Sequence, residues 1–158
     1  MKNAEMSFDE LDRFVKEHGG KSFHHNNFAA YNGMKIEYAE DDMAILSLTV
    51  NEHSLNYKNA VQGGLLFALG DGTAGSAVRT VPGSYVTLDG NINYIGNVGL
   101  GHRIYSCGDI VHRGKTTIIC EVYIVSDENK VIARARYTFF KTGDKQDNLP
   151  PDNKNENQ

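Results

Sequence analysis

Two periods divide the chain. Between Asn56 and Arg79, the apolar residues Leu65, Leu66, Ala68, Leu69 and Val78 recur at steps of three, four or seven, the spacing of a helix buried along much of its length. Elsewhere the period is two. Leu46, Leu48 and Val50 alternate with Ile45, Ser47 and Thr49, and the run from Met34 to Tyr38 precedes them, which predicts a hairpin. Val86, Leu88, Ile92 and Tyr94 alternate with Thr87, Asp89, Asn91 and Asn93, which predicts a strand with one polar face, interrupted at Gly90 by a bulge. Ile104 to Val111, Thr116 to Val125 and Val131 to Phe140 read as three further strands joined by short polar turns. Near the start, Ser7 followed by Glu10 forms a capping box. With Phe8, Leu11 and Val15 on one face and Gly19 beyond, it predicts a helix from Phe8 to His18 that covers an edge or a pocket.

The order is thus one helix, two strands, a long helix and four strands. It argues for an α+β fold with an antiparallel sheet and the central helix on one face. No βα alternation supports a doubly wound nucleotide fold. Residues 1–142 read as a single domain and residues 143–158, polar and carrying Pro150 and Pro151, as a disordered tail.

Polar groups inside the central helix change the picture from core to chemistry. Asp71 is the only charge between Leu65 and Ala77, and charges are rarely placed in such surroundings unless paired or used. Gly63 and Gly64 sit where a helix begins, with free N–H groups and a positive dipole end able to hold developing negative charge. Gly70, Gly72 and Gly75 each cost about 1 kcal/mol relative to alanine in a helix interior. Their presence predicts a close approach by a second helix or a ligand.

Composition excludes several classes. In 158 residues the net charge is −4, with no basic stripe interleaved with aromatics, so nucleic acid is not an expected partner. Cys107 and Cys120 lie in strand-like runs without ligand spacing and read as reduced core thiols. His24 and His25 have no acid or cysteine spaced to complete a metal set, and the stretch from His24 to Asn27 reads as a solvated loop. Gly96, Gly99 and Gly101 lie between strands and open no helix, so they read as a turn rather than a phosphate cradle. No window approaches the roughly 18 apolar residues of a membrane span, and a cytoplasmic protein is expected.

The element order, together with Asn56, Gln62-Gly63-Gly64, Leu69-Gly70-Asp71 and the strand from Val86 to Tyr94, resembles the hotdog-fold acyl-CoA thioesterases of the PaaI-like, phenylacetate-pathway type. The resemblance covers roughly residues 33–142. It implies a hotdog fold, a sheet wrapped around the central helix, and hydrolysis of an acyl-CoA without metal or redox cofactor, coenzyme A being part of the substrate. It further implies Asp71 as nucleophile or general base, the Gly63 N–H polarising the thioester carbonyl, Asn56 positioning the water or the carbonyl, and Thr87 helping to hold the water. Gln62 and Gly64 fall at the substrate, and Arg113 and Lys115 are candidates for the phosphates of coenzyme A, although a solvated turn explains those two equally well. Two residues depart from the family pattern. Gln62 stands where the family has histidine, an amide that does not titrate near neutral pH. Gly70 stands where it has alanine, a steric near-match.

Gly63 and Asp71 are eight residues apart, about 12 Å along a helix, too far for one thioester carbon to meet both. Two copies with antiparallel central helices would bring Asp71 of one to the Gly63 end of the other, so a homodimer or homotetramer with shared sites is expected. Three other readings compete: a non-catalytic acyl-CoA binding or sensing module, a hydratase, and a structural dimer. The hydratase wants a histidine that the central helix lacks, and the structural dimer leaves Asp71 unexplained. A binding module needs no carboxylate beside an electron-rich carbonyl.

Overall fold

The structure is a computed structural model that describes residues 5–20 and 27–145. Its elements run in order as α1 (Phe8–His18), α2 (Asn27–Tyr31), β1 (Lys35–Glu40), β2 (Met43–Thr49), a 3-10 turn (Glu52–Ser54), α3 (Gly63–Val78), β3 (Ser84–Tyr94), β4 (Arg103–Arg113), β5 (Thr117–Ser126) and β6 (Val131–Gly143). The six strands form one antiparallel sheet in the order β1-β2-β4-β5-β6-β3, so β1 and β3 are its edges. Asp41 and Asp42, both at positive φ, close the β1–β2 hairpin in two residues. This is the expected α+β hotdog arrangement, with α3 lying against one face of the sheet.

That face is mostly apolar. Ala44, Leu46 and Leu48 of β2, Ile118, Cys120, Val122 and Ile124 of β5, and Ala133, Ala135, Tyr137 and Phe139 of β6 join Leu66, Leu69, Ala74 and Ala77 of α3 in one buried cluster. Within it the Thr73 hydroxyl lies 2.7 Å from both the Leu69 carbonyl and Ser106 Oγ, so no polar atom of that pair is stranded.

The opposite face carries a second cluster, Phe8 and Leu11 of α1 with Ile45, Tyr105, Cys107, Tyr123 and Val125. The first helix therefore covers the outer surface of β2, β4 and β5 and, as the sequence suggested, reaches an edge: its Phe14 packs against Tyr38 of β1. At its margin Asp12 accepts from the Tyr105 hydroxyl at 2.9 Å and pairs with Lys16 and Arg103. Arg103 also reaches Glu37, which in turn accepts from Ser47 at 2.5 Å. Cys107 and Cys120 lie in different clusters on opposite faces, both free, and burial pushes the Cys107 thiol up to about 12.

Two further expectations change. Asn27, read as part of a solvated loop, begins the short α2, while His24, His25 and Asn26 lie outside the described residues. The last strand extends past Thr142 to Gly143, and residues 146–158 of the expected tail are likewise outside them.

Candidate functional site

The start of α3 is built by the segment before it. The Asn56 side-chain oxygen accepts from the N–H groups of Lys58 at 2.9 Å and Ala60 at 3.3 Å, closing a tight turn that includes Asn59 at φ 59°. A bridge between Leu55 and Val61 and bonds from Val61 N–H to the Val98 carbonyl and from Gln62 N–H to the Ser54 carbonyl fix the entry into the helix. The loop holding Gly96, Gly99 and Gly101 thus props this segment and is a plain connection between β3 and β4.

Gln62 is the N-cap residue of α3, yet its exposed side chain makes no capping bond. Its carbonyl accepts from Leu65 and Leu66, but no group of the described residues accepts from the N–H groups of Gly63 and Gly64. Two donors therefore stand free at the positive end of a 16-residue helix. The two glycines differ in what surrounds them. A Cβ on Gly63 would lie 3.1 Å from the Tyr94 ring, whereas one on Gly64 would meet nothing within 4 Å.

Two turns along the helix, Asp71 is half-buried, and its Oδ1 accepts from the Thr87 hydroxyl at 2.9 Å. Simple alternation along β3 would have sent Thr87 to the polar outer face with Asp89, Asn91 and Asn93. The register prevents that, because Thr87 opposes Phe139 and Asp89 opposes Thr138, leaving Leu88 as an extra residue. This one-residue bulge switches the parity of the strand, so that Thr87 shares the α3 face with Gly90, Ile92 and Tyr94. The bulge is at Leu88 and not at Gly90. Gly90 is needed instead because a Cβ there would fall 2.8 Å from both Phe67 and Tyr137.

Tyr137 also explains Gly70. The Tyr137 hydroxyl donates to the Phe67 carbonyl at 2.7 Å, and a Cβ on residue 70 would lie 2.5 Å from that hydroxyl. Alanine is thus not a near-match at this position. Of the close approaches read from the helical glycines, the chain's own sheet makes the one at Gly70, through Tyr137; a Cβ at Gly72 or Gly75 would meet Leu46 at 3.5 Å or Phe139 at 3.9 Å, ordinary contact. Burial, then the charge of Asp71 and the neighbouring Tyr94, push the Tyr137 phenol above its ordinary range, so it is a fixed donor.

The predicted residues fall into three groups. Asn56, Gln62, Gly63 and Gly64 gather at the foot of α3, and Asp71 and Thr87 meet near its middle. Arg113 ends β4 and Lys115 lies in the β4–β5 connection. There Arg113 pairs with Asp42, whose backbone N–H reaches Thr80 just beyond the other end of α3. Within one chain they are remote from Gly63. Tyr137, which shapes the helix from the sheet side, reads from the sequence only as a strand position.

A concave patch of about 640 Å³ lies on the outer sheet face, lined in part by Asn91, Asn93, Glu121, Arg134 and Arg136. It is on the wrong side of the sheet from Asp71, and Glu5 and Glu121 already neutralise its two arginines. Among the described residues no group of three or more His, Cys, Asp or Glu is placed to hold a metal, and no helix is long and apolar enough to cross a membrane.

Residues 48–133 match the thioesterase superfamily. The acyl-coenzyme A thioesterase PaaI of Escherichia coli K12 is 25% identical over 111 residues, 70% of this chain and 79% of that protein. A hypothetical thioesterase of Streptococcus pneumoniae TIGR4, solved with coenzyme A, is 32% identical with a TM-score of 0.71 over 75% of this chain and 92% of its own. Further structures of that protein carry alanine in place of an aspartate and of a threonine sixteen positions later, the same separation as Asp71 and Thr87. The smu.793 protein of Streptococcus mutans UA159, bound to acetyl CoA, is 28% identical with a TM-score of 0.72, covering 78% and 99% of the two chains. By sequence match and by architecture, the chain belongs to the thioesterase superfamily as a PaaI-like hotdog protein.

Proposed function

We propose that this thioester hydrolase cleaves an aryl- or medium-chain acyl-CoA to the free acid and coenzyme A. The observation that carries the proposal is the Thr87–Asp71 hydrogen bond, which only the bulge at Leu88 permits. A hydroxyl donating to Oδ1 fixes the plane of the carboxylate, leaving Oδ2 to deprotonate water or attack the thioester carbon. The free N–H groups of Gly63 and Gly64 supply the complementary element, donors aimed where the carbonyl oxygen gains charge. Asn56 spends its acceptor on its own turn, so its amide N–H₂ is what it offers to a carbonyl or a water.

The two halves belong to different copies. Gly63 and Asp71 are about 12 Å apart along α3, so a two-fold partner with an antiparallel α3 completes the site, in a homodimer or a tetramer of such dimers. The unpaired outer edge of β3 offers a seam for that association. Arg113 and Lys115, at the far end of α3, then approach the partner's helix start, where the phosphates of coenzyme A would lie. A cytoplasmic location and no cofactor beyond the coenzyme A of the substrate complete the proposal.

The test is free-thiol release from phenylacetyl-CoA, benzoyl-CoA and hexanoyl-CoA, comparing wild type with Asp71→Asn at matched fold and oligomeric state. Turnover by wild type with a loss of about 10²-fold or more in the variant is expected. Tight binding of these esters without turnover by wild type would favour the non-catalytic binding module instead.

A further inference from the structure

β3 ends at Tyr94, whose pairing with Ala133 turns its side chain to the α3 face, at the start of that helix. Its hydroxyl donates to the Gly63 carbonyl at 2.9 Å. Its ring lies against the same residue, with three ring and hydroxyl atoms 3.1–3.3 Å from where a Cβ would stand. A side chain at 63 would press on the Tyr94 ring and displace it by a few tenths of an ångström, whereas the backbone there has no positive φ that asks for glycine.

The carbonyl that Tyr94 holds belongs to the Gly63–Gly64 peptide, whose other end is the Gly64 N–H. That N–H has no acceptor among the described residues, and the space beside Gly64 is open. The same carbonyl also faces the helical ladder, which places an N–H four residues on. A second donor on one peptide oxygen draws electron density from the amide and makes its N–H a stronger donor, the cooperativity seen along hydrogen-bonded chains. It also stops the peptide plane at the helix start from rocking, where a first turn otherwise frays.

Resting on the thioesterase reading above, we infer that Tyr94 is a positioning residue of the oxyanion site: its hydroxyl aims and strengthens the Gly64 N–H as a second donor to the thioester oxygen, beside the Gly63 N–H. Tyr94 does not touch the reacting atoms. It acts through one peptide bond, and its contribution grows as charge accumulates on the oxygen, so it appears in the transition state more than in the bound ester.

Tyr94→Phe keeps the ring on Gly63 and removes only the hydroxyl. Loss of a direct oxyanion donor typically costs 10²–10³ in rate, and an indirect one should cost less, so kcat for the preferred ester of the panel should fall roughly five- to tenfold with KM nearly unchanged. The thermal unfolding midpoint and the oligomeric state should not move. A second readout is independent of turnover: in an Asp71→Asn background that holds the ester intact, the infrared band of carbonyl-labelled phenylacetyl-CoA should shift to higher wavenumber when Tyr94→Phe is added, because the carbonyl is less polarised. An unchanged kcat together with an unmoved band overturns the inference, and so does a rise in KM at constant kcat. The two readings fail separately, since a wild-type rate in Asp71→Asn removes the carboxylate's role whatever Tyr94→Phe does.

Discussion

The two faces of the sheet hold their helices by different means. On the inner face α3 is held by shape: glycines at 70 and 90 admit Tyr137 and Phe67, Gly108 faces Thr73, and the polar atoms recorded there bond to one another or to backbone. No ion pair crosses that face among the described residues. On the outer face α1 is held by a small aromatic and aliphatic patch rimmed by Asp12, Glu37, Arg103 and Tyr105. The difference matters for Asp71. A helix fixed without salt bridges can carry a carboxylate that no cation of the same chain neutralises, whereas a helix fixed by charges would have drawn that carboxylate into its clamp.

The largest expected effect comes from the outer face. Leu11 is fully buried, and Leu11→Ala should cost about 2–5 kcal/mol in chemical denaturation while the folded fraction keeps its wild-type kcat. A parallel loss of kcat in the folded protein would break the separation between the two faces. Gly70→Ala probes the inner face, where overpacking costs typically 1–3 kcal/mol. Here the cost should be shared with activity, since Tyr137 and α3 must shift together next to Asp71. Combining Gly70→Ala with Tyr137→Phe should recover part of the loss, measurable as a coupling in a double-mutant cycle. Loss of one rim charge on the outer face, Asp12→Ala, should lower stability by about 1 kcal/mol and leave kcat alone.

A pH-dependent contact lies at the end of the sheet and belongs to neither face. His102 Nδ1 lies 2.7 Å from Asp127, and that bond holds the imidazole above its ordinary value near 6.5. A group whose folded value is raised contributes its stability in full below the unfolded value and loses it as pH rises through the folded one. The unfolding midpoint of wild type should therefore exceed that of His102→Gln at pH 6 and converge with it at alkaline pH. The opposite trend would mean that the imidazole binds Asp127 in its neutral form. The smallest change is at Arg113. Its exposed pair with Asp42 predicts a stability change within about 1 kcal/mol for Arg113→Ala, so any rise in KM for acyl-CoA reports on binding and not on folding.

Much of this was legible in the chain itself. Long periods do not depend on neighbours, so α3, the β2 alternation and the capping box at Ser7 and Glu10 were readable directly, and the structure contains that box with both of its bonds. Asp71 stood out because a lone charge within an apolar helix is a local signal. What could not be read was anything set by a partner far along the chain. Leu88 looks like any alternating residue until β6 fixes the register, and Gly70 looks like a gap for a ligand until Tyr137, 67 positions later, fills it. Which face α1 covers is likewise decided by Tyr105 and Tyr123, not by α1.

The extra residue at Leu88 gives β3 something like a reading frame. Substitutions along this strand alter one side chain at a time, but if the same residues paired with β6 straight through Leu88, with no residue left out, every position on the Thr87 side would turn to the opposite face. Thr87 would then point away from Asp71 in a protein whose composition, strand count and core were almost unchanged. For such a strand the site depends on which residue is left out of the pairing, and loss of Leu88 itself would straighten the ladder there while keeping Thr87 opposite Phe139 and turned to α3.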